Sequence, residues 1–184
     1  MTGMKQFSDE ELLQMFSEGD NPNYAFNLIV RKYQEPVYWH IRRMVVSHED
    51  ANDIVQDVFV KAWQGLLKFR KDSALYTWLY RIATNEALSF LKKKKNRFFL
   101  PLLDISKQLE ETLESDVYYH GSDMEKTIQK AILKLPDKQR AVFNLRYFDE
   151  MKYEEMAEVL NTSVGALKAS YHHAVKKIEQ FISN

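Results

Sequence analysis

The sequence predicts an all-α protein with two small helical domains, an N-terminal helical bundle and a C-terminal helix-turn-helix, joined by a flexible linker. Its 184 residues include only five glycines and four prolines, which are few for a turn-rich β fold. Apolar residues recur at helical spacing along most of the chain, and capping residues precede several of these stretches. The periodicity fades between segments 1–97 and 124–184, which we interpret as the domains, with residues 98–123 as the linker.

Three helices are predicted in the first part of the N-terminal domain. The first follows a capping-box pattern formed by Ser8 and Glu11. The second spans about 24–46 and contains Pro36, which we expect to kink or interrupt it because proline has no backbone N–H. The third spans about 49–67 and places carboxylates on the face opposite its apolar residues.

That third helix carries two carboxylates, Asp53 and Asp57, one turn apart. Their repulsion should weaken the helix by roughly 0.2–0.5 kcal/mol. A cationic protein partner would relieve the repulsion and give this face a function. Two alternatives remain from the residues alone. One is a metal site, although carboxylates from a single helix rarely complete a cation shell, and the other is ordinary surface acidity.

A fourth helix, predicted at 73–95, combines an apolar face with a polar stripe and a basic end. Side chains at steps of three and four on one face are Arg81, Asn85, Leu88 and Lys92. Aromatic residues at or before its start are Phe69, Tyr76, Trp78 and Tyr80. Flat rings beside cations suit nucleic acid with unpaired bases, because rings stack on bases while Lys and Arg offset phosphates. Equally, the rings could belong to the core and the lysines to a solvated helix end.

The linker is acidic and contains Pro101, so we expect at most a transient helix around 105–113. Helical periodicity then returns in four segments, at about 124–135, 137–148, 153–160 and 163–182.

Residues 153–174 have the layout of a helix-turn-helix. Asn161 stands where the first helix must end and tolerates the left-handed conformation common at such ends. Ser163 is a good N-cap for the second helix, which in this motif enters the DNA major groove. Its side chains available to the groove are Lys168, Ser170, His172 and His173. An ordinary antiparallel helix pair is the alternative.

Composition argues against several classes of protein. The chain has no cysteine, which excludes a disulfide framework and a thiolate metal site. We see no Gly-rich phosphate loop, catalytic triad or metal-ligand spacing, so we predict neither an enzyme nor a bound cofactor or metal. The first residues lack an apolar signal segment and no run is long enough to span a membrane, so we expect a cytoplasmic protein without membrane insertion. The net charge is zero, but a chain without net charge can still carry a basic binding surface on one side.

Three segments in this order resemble the extracytoplasmic-function sigma factors, which are compact two-domain promoter-recognition subunits of bacterial RNA polymerase in the sigma-70 family. DANDIVQDVFVKAW at 50–63 is similar to the polymerase-binding helix of that family. FRKDSALYTWLYRIATNEAL at 69–88 is similar to its promoter-melting and minus-ten segment. LPDKQRAVFNLRYFDEMKYEEMAEVLNTSVGALKASYHHAVKKI at 135–178 is similar to its minus-thirty-five domain. The first two segments together are far more specific than the helix-turn-helix.

The resemblance implies a bacterial alternative sigma factor that binds core RNA polymerase, recognises both promoter elements and helps to melt DNA. The residues implied to grip the clamp helices of the largest polymerase subunit are Asp53, Ile54, Gln56, Asp57 and Phe59. Those implied to serve promoter DNA are Phe69, Tyr76, Trp78, Arg81, Asn85, Lys92, Ser163, Lys168, Ser170, His172 and His173. Asn85 matches a position beside the pocket for a flipped minus-ten base, and an anti-sigma factor that clamps both domains is typical of the family.

The chain also departs from the family pattern in its last helix. Many members have Arg where this sequence has Ser170 and His173, which implies fewer phosphate or guanine contacts. A stand-alone helix-turn-helix regulator is the alternative function, and it would bind duplex DNA without polymerase. A third possibility is an interaction protein that uses its acidic helix and binds no DNA.

Overall fold

The computed structural model describes residues 7–98 and 102–183, and within these ranges the chain forms nine α-helices and no strand. The helices are α1 (Asp9–Glu18), α2 (Pro22–Val45), α3 (His48–Leu66), α4 (Leu75–Phe98), α5 (Leu102–Glu114), α6 (Asp123–Leu133), α7 (Asp137–Tyr147), α8 (Tyr153–Leu160) and α9 (Val164–Ser183). The all-α prediction is confirmed. Pro101, at which we expected a break, lies outside the described residues.

The capping box predicted at the start of α1 is formed. The Ser8 hydroxyl accepts a hydrogen bond from the Glu11 backbone N–H at 3.1 Å, and the Glu11 carboxylate accepts one from the Ser8 backbone N–H at 2.7 Å. Helix α2 runs through Pro36 without interruption. Pro36 lies on the exposed side, where water can satisfy the carbonyl that its ring leaves without a donor, while Tyr33 and Val37 are buried on the opposite side.

The linker differs from the expectation, because residues 102–114 form helix α5. Its stripe of Ile105, Leu109 and Leu113 is buried. A single stripe of three apolar residues is a weak signal in sequence, and packing against the rest of the protein supplies the stability that an isolated short helix lacks. Arg42 of α2 also pairs with the buried side chain of Asp116, just after α5.

The two halves of the chain share one apolar core. Leu133, Ala141 and Leu145 of the C-terminal half belong to the same buried cluster as the apolar residues of α1–α4. A smaller second cluster lies within the C-terminal half, between α6, α7 and α9. The described chain therefore adopts a closed arrangement in which α4 packs along α8 and α2 packs on α7.

Helices α8 and α9 form the helix-turn-helix. Asn161 ends α8 in the left-handed conformation, with φ 49° and ψ 54°. The Ser163 hydroxyl caps α9 by accepting a hydrogen bond from the Ala166 backbone N–H at 3.2 Å. Buried Met156 and Leu167 hold the two helices together. Both predicted local signals, the left-handed Asn and the N-cap Ser, are confirmed.

Asn161 allows a direct test of this turn. We expect Asn161→Ala to lower the free energy of unfolding by about 1 kcal/mol, because a Cβ in the left-handed region without a locally bonding side chain is strained. Asn161→Gly should leave stability within a few tenths of that of the parent protein, because glycine adopts this conformation without the steric penalty. Urea unfolding followed by circular dichroism measures both variants, and equal stability of the two would contradict the assigned strain.

Candidate functional site

Helix α3 presents an acidic face to solvent. Asp53, Gln56 and Asp57 are exposed, and among the described residues neither carboxylate forms an ion pair. Ile54 and Phe59 differ from this set because they are only 4% and 8% exposed and pack into the core. In this conformation they position the helix, and only a small part of either side chain is open to a partner. The face available for binding is therefore mainly polar and anionic, with exposed Val60 as its apolar residue.

Helix α4 presents a second exposed face, formed by Arg81, Asn85 and Lys92. These residues lie four and seven positions apart, so they occupy one side of the helix. The opposite side is buried through Leu79 and Ala87. An amide flanked by two cations can donate to and accept from a base edge while the cations offset neighbouring phosphates.

The loop before α4 is braced by aromatic packing. The ring centroids of Phe69 and Trp78 lie 5.1 Å apart, and both side chains are partly buried. Gly65 makes room for this pair, because a Cβ at that position would lie 2.8 Å from Cζ2 of Trp78. The importance of Gly65 could not be read from the sequence, where a lone glycine late in a helix resembles an ordinary terminus.

The tyrosines at the start of α4 face the C-terminal half. The Tyr80 hydroxyl donates to Oδ1 of Asp149 at 3.4 Å, and the Tyr76 hydroxyl donates to the Asp149 carbonyl oxygen at 3.4 Å. Burial, followed by the charge of Asp149, raises the pKa of Tyr76 to about 12 and also raises that of Tyr80. Both phenols therefore stay protonated and act as donors. Tyr76 therefore packs at this contact with Asp149.

Asp149, in the turn between α7 and α8, forms a contact between the two halves of the chain that the sequence did not indicate. Its side chain is 6% exposed and accepts from Nδ1 of His40 at 3.0 Å and from Nη1 of Arg43 at 3.5 Å. The other ring nitrogen of His40 lies 2.8 Å from the Thr84 hydroxyl, and His40 is fully buried. Burial lowers the pKa of Arg43, while Asp149 opposes that shift. Asp149 thus joins the C-terminal half to α2 and α4, and nothing local in sequence identifies partners so far away.

The exposed face of α9 carries Lys168, His172 and His173, whereas Ser170 is partly buried. Ser163 acts at the start of this helix through its cap. Lys168 lies over the Tyr153 ring, with its Nζ 5.7 Å from the ring centroid. Lys176 is also exposed one turn beyond His172 and adds a cation to the same face. The exposed face of α9 therefore carries a moderate positive charge, which suits a helix that lies in a DNA groove.

Other kinds of site find no support in the described part of the chain. No cluster of three or more histidine or acidic side chains there could hold a metal ion. None of the helices in those ranges combines the length and apolar character needed to cross a membrane.

An exposed acidic helix, a cationic helix beside braced aromatic rings and a helix-turn-helix define a DNA-binding transcription protein. The chain matches the family models for sigma-70 region 2 at residues 29–97 and sigma-70 region 4 at residues 125–178. It is 33% identical to the RNA polymerase sigma-H factor of Pseudomonas aeruginosa, over 96% of this chain and 95% of that protein. It is also 33% identical to the ECF RNA polymerase sigma-E factor of Escherichia coli, over 95% and 94% of the two chains. The chain belongs to the extracytoplasmic-function (ECF) sigma factors of the sigma-70 family.

Solved structures with the same fold include two protein complexes. CnrH, solved with the cytosolic domain of CnrY, superposes with a TM-score of 0.70 at 23% identity, covering 95% of this chain and 97% of that one. The sigma factor RpoE, solved with the anti-sigma factor NepR from Bartonella quintana, gives a TM-score of 0.67 at 22% identity, over 86% and 96% of the chains. The closed two-domain architecture therefore has known counterparts.

Proposed function

We propose that this chain is an alternative sigma factor that brings core RNA polymerase to promoters, recognises their minus-thirty-five and minus-ten elements and helps to melt the DNA. The observation that carries this proposal is the exposed Arg81–Asn85–Lys92 face of α4 beside the braced Phe69–Trp78 loop, within the segment that matches sigma-70 region 2. The chain acts by binding, in the cytoplasm, and not as an enzyme.

At the minus-ten element, Asn85 reads an unstacked base. Its side chain is exposed and carries both a donor and an acceptor, as the edge of a flipped base requires. Arg81 and Lys92 contact phosphates on either side of it. Phe69 and Trp78 hold the melting loop in shape through their mutual packing. The binding energy must offset a few kcal/mol for each base that leaves the stack.

The acidic face of α3 binds the polymerase. Asp53, Gln56 and Asp57 meet the cationic clamp helices of the largest subunit, and this contact removes the repulsion between the two carboxylates. Ile54 and Phe59 support that face from inside the core.

Helix α9 binds the minus-thirty-five element. Lys168, His172 and His173 face the groove, and Ser170 lies at its edge. Ser163 fixes the start of the helix through its cap.

An anti-sigma factor regulates this protein in our proposal. The Bartonella sigma factor of the same fold is solved with such a partner. The exposed aromatic side chains Trp39 and Tyr147 line a cavity of ≈ 290 Å³ where α2 meets α7, and they offer a second protein an apolar surface shared by both halves.

Run-off transcription with core RNA polymerase on a promoter-enriched genomic library tests the proposed function. We expect discrete start sites that appear only when the chain is added. No initiation, together with tight binding of duplex DNA by the chain alone, would instead support a stand-alone helix-turn-helix regulator.

Asn85→Ala tests the base-reading role. We expect the preference at one minus-ten position to relax by about 1–3 kcal/mol of discrimination, because the amide no longer bonds the base edge. Affinity for core polymerase should not change, since α3 is untouched. Ser89→Ala, one turn further along α4 and also exposed, is the matched control. Start-site sequencing across a randomised minus-ten library measures the preference, and an unaltered preference removes Asn85 from the site.

A further inference from the structure

A polar cavity lies where α4, α5 and the turn between α6 and α7 meet. Its volume of ≈ 320 Å³ is large enough for a small ligand, and its described lining shares no residue with the proposed polymerase-binding and DNA-binding surfaces. The charged and hydroxyl side chains that line it are Lys95, Ser106, Lys107, Glu110, Lys134, Asp137 and Arg140. Because four cations and two carboxylates surround the cavity, its lining favours an anion.

Arg140 is the buried cation of this cavity, with a side chain that is 1% exposed. Its Nη2 donates to Oδ1 of Asp137 at 3.2 Å and its Nη1 donates to the Leu133 carbonyl oxygen at 3.3 Å, whereas Nε has no partner among the described residues. Burial lowers the pKa of the guanidinium, and the charge of Asp137 opposes that shift. A buried cation with one counter-charge is incompletely compensated, so a second anion beside it would stabilise it.

The Asp137 carboxylate shows where an anion is favoured. It accepts from Arg140 and also pairs with Lys95 of α4. It lies in the first turn of α7, whose N-cap residue is Pro136 and which has no side-chain cap. The first backbone N–H groups of a helix lack intrahelical acceptors and attract anions. The start of α7 and the Arg140 guanidinium therefore offer two kinds of N–H donor at one cavity.

Two lysines add charge that no carboxylate neutralises. Lys107 of α5 and Lys134 at the end of α6 are exposed, and among the described residues neither forms an ion pair. The Nζ of Lys134 lies 3.7 Å from the centroid of the Phe181 ring, a contact that holds the side chain without neutralising its charge. Exposed lysines are common on any surface, but these two meet buried Arg140 at the same cavity.

Size and charge together select the kind of anion. A strand of several nucleotides is too large for ≈ 320 Å³, whereas a pyrophosphate group fits. Its oxygens can accept from a guanidinium, from several ammonium groups and from helix N–H groups at the same time. The apolar part of the lining, formed by Ile105, Leu109, Leu133 and Leu135, can accommodate a flat base.

We propose that this cavity binds a pyrophosphate group, either free or carried by a nucleoside diphosphate. The ammonium groups of Lys95, Lys107 and Lys134 surround the phosphates, while Arg140 stabilises them from the buried side. An occupied cavity would fasten α5 to α4 and α7 and would raise the stability of the folded chain. This inference does not depend on the proposed function.

Isothermal titration calorimetry of the full chain with inorganic pyrophosphate, at fixed ionic strength and with EDTA present, tests the site. We expect saturable binding and an unfolding temperature that rises with pyrophosphate concentration. Lys107→Gln and Lys134→Gln should each weaken binding about tenfold, because each removes a charge-assisted hydrogen bond. Lys138→Gln removes the charge of an exposed lysine on α7 outside the cavity lining and should bind as the parent does.

Asp137→Asn tests competition between the carboxylate and the ligand. Asparagine has nearly the same shape without the charge, so pyrophosphate should bind about tenfold more tightly. The same change takes a counter-charge from Arg140 and should lower the unfolding temperature, which added pyrophosphate then restores. Unchanged affinity would place the anion away from Arg140 and would overturn the proposal. Circular dichroism verifies that the variant folds, and the two lysine variants decide the question if it does not.

ADP in place of pyrophosphate distinguishes the two carriers. Tighter binding of ADP would assign the site to a nucleoside diphosphate, with its base against the apolar lining at Ile105 and Leu109. Equal or weaker binding of ADP would assign the site to the free anion. The proposal fails if neither compound binds saturably, or if the lysine variants bind both compounds as tightly as the parent does.

Discussion

Replacing Asp57 with arginine is expected to lower the affinity of the chain for core RNA polymerase by about 100-fold or more. Asp57 is exposed on α3 and forms no ion pair among the described residues, so its charge is available to a partner. In the proposed complex, reversing that charge removes an attraction to the cationic clamp helices and adds a repulsion. Close charge pairs in interfaces contribute about 1.5–7 kcal/mol, and about 2.7 kcal/mol already corresponds to 100-fold.

Fluorescence anisotropy of the labelled chain titrated with core enzyme measures this affinity. Glu35→Arg, on the exposed side of α2, makes the same charge change away from α3 and should bind as the parent does. Both variants should unfold at the temperature of the parent, since neither side chain is buried. Parental affinity of Asp57→Arg would remove the α3 face from the polymerase contact.

The second large effect is expected from His40→Ala. His40 is fully buried and bridges Asp149 of the C-terminal half to Thr84 of α4. Removing the imidazole takes one partner from a buried carboxylate and leaves a cavity at the centre of the contact between the halves. Loss of a hydrogen-bond partner by a buried polar group costs about 1–3 kcal/mol, and the cavity left by the imidazole adds to this. We therefore expect a marked fall in stability and two separate unfolding steps, because the halves no longer unfold together.

Differential scanning calorimetry distinguishes one transition from two and gives the loss of stability. His120→Ala, which truncates an exposed histidine, should leave the transition unchanged. A single transition at the parental temperature in His40→Ala would show that the buried bridge does not couple the two halves.

The exposed faces of α3 and α4 followed closely from sequence. Asp53 and Asp57 are exposed on one helix, and Arg81, Asn85 and Lys92 share one exposed face, as the spacing predicted. Such predictions succeed because a helix with one apolar stripe must turn that stripe inward, and the facing direction of every other side chain follows from its position. Burial of Ile54 and Phe59 follows the same rule, although resemblance had also placed them in the contact surface.

The helix caps and the left-handed turn could also be predicted from the sequence. Ser8, Asn161 and Ser163 act where their side chains predict, because a cap or a left-handed turn involves only a few neighbouring residues. Helix α2 covers the segment predicted for it, but it is not interrupted at Pro36, since burial of Tyr33 and Val37 against other helices outweighs the local cost of proline.

Three features depend on residues far apart in the chain and could not be obtained from local pattern. Helix α5 forms where an acidic linker was expected, because burial of Ile105, Leu109 and Leu113 stabilises it. Asp149 meets His40 across more than half of the sequence, and α8 faces the Phe69–Ser73 loop only because the two halves close on each other. Periodicity and capping describe how one segment folds, so they establish the helices and their faces, whereas the family followed from the resemblance of three segments. The free energy that joins one segment to another resides in pairings such as Asp149 with His40, which have no signature in either segment alone.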